Sequence, residues 1–225
     1  MINEEEKMEK DECGCGCHDE NLHEEQNCCD EDCCCDPMEE IMLDADPNGM
    51  FEICVNINGE MGNLIVSKDE TLLEALRSYG WKGTKKGCDT GDCGSCTIIF
   101  NGKPVLGCMM PAVSAHGGNI TTIEGLGTVR NPHPIQQAFV EAGAVQCGFC
   151  IPGMILSTKA LLDKNPEPTE AEIRKALDGN LCRCTGYVTQ INAVNIAARK
   201  MREMKDQAGT NPNAAYMGKP RGEAE

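Results

Sequence analysis

Eight cysteines of the 225-residue chain stand in two groups of four. Cys88, Cys93, Cys96 and Cys108 follow the spacing C-x4-C-x2-C-x11-C, while Cys147-x2-Cys150 is followed at a distance by Cys182-x-Cys184. Four thiolates are the ligand count of a binuclear iron–sulfur cluster, two for each iron. A centre of this kind takes one electron at a time, so two quartets in one chain suggest a carrier with two stations in series.

The first quartet is wrapped in small residues. Gly83, Gly87, Gly91 and Gly94 precede or separate its first three ligands, with Thr90 and Ser95 among them. A backbone this unencumbered approaches inorganic sulfide closely enough to donate N–H bonds to it. The x4, x2 spacing is that of plant-type ferredoxins. Zinc also accepts four cysteines, but its ribbons pair two short hairpins rather than draw three ligands from one glycine-rich loop. Asp89 and Asp92 place carboxylates beside the loop, and negative charge there should lower the potential of a bound cluster. In the second quartet, Cys147 and Cys150 would face the same side if they shared a helical turn. Cys182-x-Cys184 fits a turn beyond a helix stop at Gly179. Taken alone, these two short pairs suit zinc as well as a cluster.

The elements that must position these thiols are legible from periodicity. Ile53, Val55 and Ile57 alternate with polar neighbours from Phe51 onward. Asn58-Gly59 is a type I′ hairpin signal, and a second apolar run passes through Leu64, Ile65 and Val66. Thr71 and Glu74 form a capping-box pattern before the stripe Leu72, Leu73, Ala75, Leu76, with Gly80 at the stop. A further strand runs Thr97 to Phe100, turns at Asn101-Gly102 and continues through Val105. Hairpin, helix and further strands are the order of a β-grasp sheet. After Asn131-Pro132-His133-Pro134 the spacing becomes helical: Ile135, Ala138, Phe139 and Ala142; Met154, Ile155, Leu161 and Leu162; Ile173, Ala176 and Leu177 behind a second capping box at Thr169 and Glu172; then Ile191, Val194, Ala198 and Met201. The expected fold is α+β, a ferredoxin-like β-grasp domain over 50–126 followed by an all-α four-helix cluster-binding domain over 127–205, with tails at 1–49 and 206–225.

Charge narrows the partners. Of 36 acids and 20 bases, 18 acids and only two bases, Lys7 and Lys10, lie in residues 1–50, so the body carries 18 of each. A neutral body without a basic patch speaks against nucleic acid. With no apolar leader and no run long enough to span a bilayer, 17 cysteines are expected in a reducing cytoplasm, as metal ligands rather than disulfides. His116 and His133 fall in loop-like stretches and read as solvated, so nothing suggests a proton-transfer dyad.

The words around the second quartet are more specific than its spacing. Gln146-Cys147-Gly148-Phe149-Cys150 and Gly179-Asn180-Leu181-Cys182-Arg183-Cys184-Thr185-Gly186-Tyr187, following a ferredoxin-like quartet, closely resemble the iron–sulfur small subunit of the xanthine oxidase, or molybdenum hydroxylase, family over about residues 51–200. The resemblance implies two 2Fe-2S clusters, a large molybdenum-binding partner and an FAD-binding subunit or other acceptor. It implies further that the helical cluster lies next to a molybdenum–pterin cofactor, with Gln146 hydrogen-bonding the pterin and Cys184 both ligating iron and approaching the pterin amine. Substrate chemistry would then belong to the partner. Two other readings of the chain are a free ferredoxin and a metal-storage or delivery protein.

The storage reading rests on the acidic extension, where Cys13, Cys15, Cys17, Cys28, Cys29, Cys33, Cys34 and Cys35 stand with His18 and His23. Such tracts suit soft-metal capture, by a third cluster or by incidental binding, although three adjacent cysteines are crowded ligands. Iron quantification on the full chain and on one beginning at Gly49 decides between them: equal iron content is expected from incidental binding, and a surplus in the full chain from a third cluster.

Overall fold

The computed structural model of the protein describes residues 45–208, so the expectations for the extension cysteines and for the C-terminal tail lie outside the described residues. The first strand starts slightly before Phe51. The Asp46 carboxylate accepts from the Asn48 and Met50 N–H groups, closing a turn that launches β1 (Met50–Ile57). Ile53, Val55 and Ile57 of β1 are buried. Asn58 and Gly59 both have positive φ, +58° and +89°, the twist of a type I′ turn, and β2 (Glu60–Ser67) returns antiparallel with Ile57 opposite Glu60.

Thr71 and Glu74 cap α1 (Leu72–Ser78) reciprocally, and Leu72, Leu73, Ala75 and Leu76 are all buried. A second turn of positive φ, at Asn101 and Gly102, joins β3 (Thr97–Phe100) to β4 (Lys103–Leu106). Strand β5 (Asn119–Thr121) then runs parallel to β1 and antiparallel to β3, completing a mixed sheet of order β2-β1-β5-β3-β4. Helix α1 packs on it through Leu72, Ala75 and Leu76, against Ile53, Val55, Leu64, Val66 and Ile98. This is the β-grasp arrangement.

A short helix that periodicity could not announce, α2 (Ile123–Leu126), leads out of the sheet. Beyond it lie α3 (Pro134–Glu141), α4 (Ile151–Lys164), α5 (Glu170–Leu177) and α6 (Val188–Ala208). Ile135 and Phe139 of α3, Met154 of α4, Ile173 of α5 and Ile191 and Val194 of α6 share one core. The sheet and the helices are not separate bodies: Ile99 of β3 packs with Leu156 and Ala160 of α4, and Ile123 of α2 covers them. Among the described residues, no helix is long and apolar enough to cross a membrane.

Three local expectations need correction. Gly179 follows α5 without the left-handed conformation of a C′ glycine, which Asp178 makes unnecessary by continuing in the helical region. His116 is half-buried, its Nδ1 accepting from the Cys54 N–H at 3.3 Å. His133 is 1% exposed, and its Nδ1 accepts from the Ile135 N–H at 3.2 Å to cap α3. Proline-rich flanks made that stretch look like surface loop, but they fix the chain for an imidazole cap.

An imidazole in this position must be neutral, because protonating Nδ1 would turn an acceptor toward a donor. Burial, and secondarily the Lys159 ammonium, push its pKa down from 6.5 to about 4. The unfolded chain therefore takes up a proton below pH 6.5 that the folded chain refuses until about pH 4. Stability from this group is complete above pH 6.5 and falls as the pH drops toward 4, by up to about 3 kcal/mol. Denaturant titrations should show this loss in the native chain and not in His133→Asn, which retains a capping side chain; parallel pH profiles would contradict it.

Candidate iron–sulfur sites

The first thiol loop leaves α1, passes the half-buried Cys88 and Cys93 and ends at Cys96, just before β3. Cys108 returns from a single 3-10 turn beyond β4. The sulfurs associate in pairs: Cys96 Sγ lies 3.4 Å from Cys108 Sγ, and the Cys88 and Cys93 thiols interact. Backbone donors already point inward, with Thr90 N–H at 3.5 Å and Cys93 N–H at 3.4 Å from Cys88 Sγ. At Gly87 any Cβ would stand 2.7 Å from Cys93 Sγ, inside the space the sulfurs occupy. Of the two neighbouring carboxylates, Asp89 is paired with Lys86 at 2.9 Å, while Asp92 accepts from the Thr90 hydroxyl at 2.6 Å.

The second quartet is built at two helix starts. Cys147 and Cys150 occupy a turn ahead of α4 rather than a helical turn: Gly148 has φ +83° and Cys150 is the N-cap. Cys182 and Cys184 lie between α5 and α6, where the Tyr187 hydroxyl accepts from the Cys182 N–H at 2.9 Å. Here too the sulfurs pair, Cys184 with Cys147 at 3.7 Å and Cys150 with Cys182. Gln146 donates its amide to the Cys184 carbonyl at 3.3 Å, so the two residues singled out toward a pterin meet at the exposed rim.

Environment divides each quartet. Burial pushes the Cys96 thiol up to about 11 and the Cys150 thiol up to about 12. Hydrogen bonding, first from the Thr90 side chain, holds Cys88 down at about 6. For Cys182 burial alone would raise the value, but the Thr185 hydroxyl, the Cys184 and Thr185 N–H groups and Gln190 outweigh it and bring it to about 6. A cluster held here would displace protons from Cys96 and Cys150 and would meet thiols already drawn toward thiolate at Cys88 and Cys182.

What the sequence did not single out is the seam between the two sites. The Asn180 side chain, 3% exposed, donates to the Gly94 carbonyl at 3.0 Å and to Thr97 Oγ1 at 3.2 Å, and accepts from the Ser157 hydroxyl at 2.6 Å. Beside it the Leu181 N–H donates to the Cys93 carbonyl at 2.9 Å. Gly94 has φ +69°, and a Cβ there would stand 2.1 Å from the Gly179 carbonyl; a Cβ on Gly153 of α4 would stand 2.4 Å from that of Gly94. Asn180 appeared only inside a motif, because nothing local reveals a partner more than 80 residues away.

Among the described residues, no group of three or more His, Cys, Asp or Glu is gathered to hold a single ion. Thiols in pairs at both sites, with a backbone at Gly87 closed to any Cβ at the first, fit a binuclear cluster, which would take two thiolates on each iron. The chain is thus an iron–sulfur protein with two cluster-binding segments. Residues 55–113 match the family described as "2Fe-2S iron-sulfur cluster binding domain" and residues 122–195 that described as "[2Fe-2S] binding domain". The chain is 50% identical to the nicotinate dehydrogenase small FeS subunit of Eubacterium barkeri, over 66% of its own length and 95% of the relative's. Among solved structures, quinoline 2-oxidoreductase from Pseudomonas putida 86 aligns with TM-score 0.66 at 40% identity, covering 69% of this chain and 98% of that one. The aldehyde oxidoreductase of Desulfovibrio gigas aligns with TM-score 0.67 at 39% identity, over 76% of this chain but only 19% of the other. The protein belongs to the 2Fe-2S small subunits of the molybdenum hydroxylases, electron-transfer subunits of oxidoreductases that do not themselves transform substrate.

Gly153 supplies a direct test of the seam. In an ordinary helix interior, glycine to alanine gains roughly 0.5–1 kcal/mol. Gly153→Ala should instead lose about 1–3 kcal/mol, because the methyl group meets backbone across the seam. Thermal unfolding should register a drop of several degrees; a rise would mean that the seam opens freely.

Proposed function

We propose that this chain passes electrons one at a time from a molybdenum–pterin centre on a large partner subunit to an FAD-binding subunit or other acceptor, entering at the second quartet and leaving at the first. The observation that carries this reading is the Leu181 N–H to Cys93 C=O hydrogen bond, which joins the neighbour of one ligand to the backbone of another. A 2Fe-2S cluster at each quartet supplies one-electron storage when bound. The chain's own residues hold the two sites, dry their inner halves and connect them by a short bonded route.

Burial gives the direction its support. Cys147 and Cys184 are exposed, and Phe149, Leu181, Tyr187 and Val188 expose apolar surface around them. Such a rim suits a partner's cover better than water. In this reading Gln146 hydrogen-bonds the pterin and Cys184 approaches the pterin amine, while Cys147, Cys150 and Cys182 complete the iron ligands. At the far site Cys88, Cys93, Cys96 and Cys108 hold the second station, and exposed Met109, against Gly91, marks the side facing the acceptor. The stations correspond to the domains 50–126 and 127–205, working in the cytoplasm. Nicotinate and quinoline, named in two of the relatives, are both N-heteroaromatic, which supports a substrate of that class for the partner.

Capture of the tagged chain from its native host should bring down a larger molybdenum-containing subunit, and paramagnetic resonance of the reduced complex should show two iron–sulfur signals. Cys150→Ser should abolish the second-site signal and slow electron arrival at the first. Captured material free of molybdenum would reject the partnership; undiminished arrival in the variant would reject the order.

A further inference from the structure

Gln190 stands in the first turn of α6 and has no exposed surface. With Ala193, Val194 and Ala197 it forms the buried stripe of that helix, a position where an apolar side chain is the physical default. Neither its Nε2 nor its Oε1 has a hydrogen-bond partner among the described residues. Buried amides are almost always paired, so this one calls for an explanation. The other members of that stripe pack in one core with Cys150 and Cys182, and the Gln190 side chain is among the hydrogen-bonding groups that draw the Cys182 thiol down, although it makes no aligned bond. The Thr185 hydroxyl sits 3.3 Å from the Cys182 sulfur.

We propose that Gln190 tunes the second site, its amide N–H donating to the Cys182 sulfur when that sulfur ligates iron. The inference rests on the reading that the second quartet holds a 2Fe-2S cluster. Reduction adds one electron to the site, drawn from the partner centre, and places more negative charge on its sulfurs; no bond to iron need break. A donor aimed at one of those sulfurs stabilises the reduced state over the oxidised one and raises the potential. Because the amide is buried, water cannot replace it. Gln190 is a positioning residue for charge, acting through Cys182.

The test is a potentiometric titration of the purified complex followed by paramagnetic resonance, comparing the native chain with Gln190→Met, which keeps length and volume and removes the donor. The second-site midpoint should move to lower potential, changing the oxidised-to-reduced ratio at fixed potential by roughly fivefold, the factor that one net hydrogen bond commands. The first-site midpoint should stay. A purely structural role would lower thermal stability and leave both midpoints in place, which overturns the proposal. A second measurement does not depend on that variant loading iron. In a Gln146→Ala chain labelled with 15N-glutamine, the reduced second-site signal should carry hyperfine coupling to a side-chain amide, and its absence also overturns the proposal. If the native chain shows no second iron–sulfur signal, the functional reading has failed rather than the role of Gln190.

Discussion

The contact on which the rest depends is the Asn180 amide lodged against the Gly94 carbonyl. Asn180 belongs to the loop that delivers Cys182, and Gly94 lies between Cys93 and Cys96. Through this one side chain the two thiol loops are fixed to each other as well as to their own domains. Thr97 of β3 takes the second N–H and Ser157 of α4 donates to the carbonyl, so both ends of the amide are paired across the seam. A buried network this complete is stiff, since displacing any member leaves the others unpaired in a low-dielectric setting. The glycines follow from it: backbone approaches this close leave no room for a Cβ at Gly94 or Gly153.

Fixing the loops fixes the asymmetry of the sites. Each quartet has a thiol driven up by burial, Cys96 in one and Cys150 in the other, and one held down by hydrogen bonds, Cys88 and Cys182. The low thiols can act as first ligands near neutral pH. The high ones are protonated near neutral pH, and a metal bound there would have to displace those protons.

Much of the local structure is legible in the residues themselves. Both hairpin turns, at Asn58-Gly59 and Asn101-Gly102, and both capping boxes, at Thr71 and Thr169, depend on residues within four positions of each other, and local chemistry suffices to read them. The spacing of the two cysteine groups is equally visible in the sequence, and the structure brings their sulfurs together in pairs. Elsewhere the physics is non-local. His133 looked solvated because its flanking prolines mimic a surface loop, and only the packing of α3 and α4 buries it. Parallel pairing of β5 with β1 joins residues some 60 positions apart, and the role of Asn180 is defined wholly by groups from other elements. Gln190 is not legible as a buried group, because a polar residue in the first turn of a helix ordinarily faces water.

A chain that merely stored iron would need thiols and little else. Storage favours accessible, exchangeable ligands, and the cysteine-rich extension would serve that purpose without help. The body of the protein instead spends two glycines, a buried asparagine and a serine on bringing the loops into register. It gains no ligand by doing so, since each quartet is complete within its own elements. What the seam provides is proximity: the Cys93 carbonyl and the Leu181 N–H share a hydrogen bond at 2.9 Å, and Cys182 is the next residue along the chain. Electron tunnelling weakens steeply with each gap and fares better through bonds than through empty space. The bonded route between the two sites supports the proposed transfer between them, in a family whose members carry electrons for an oxidoreductase.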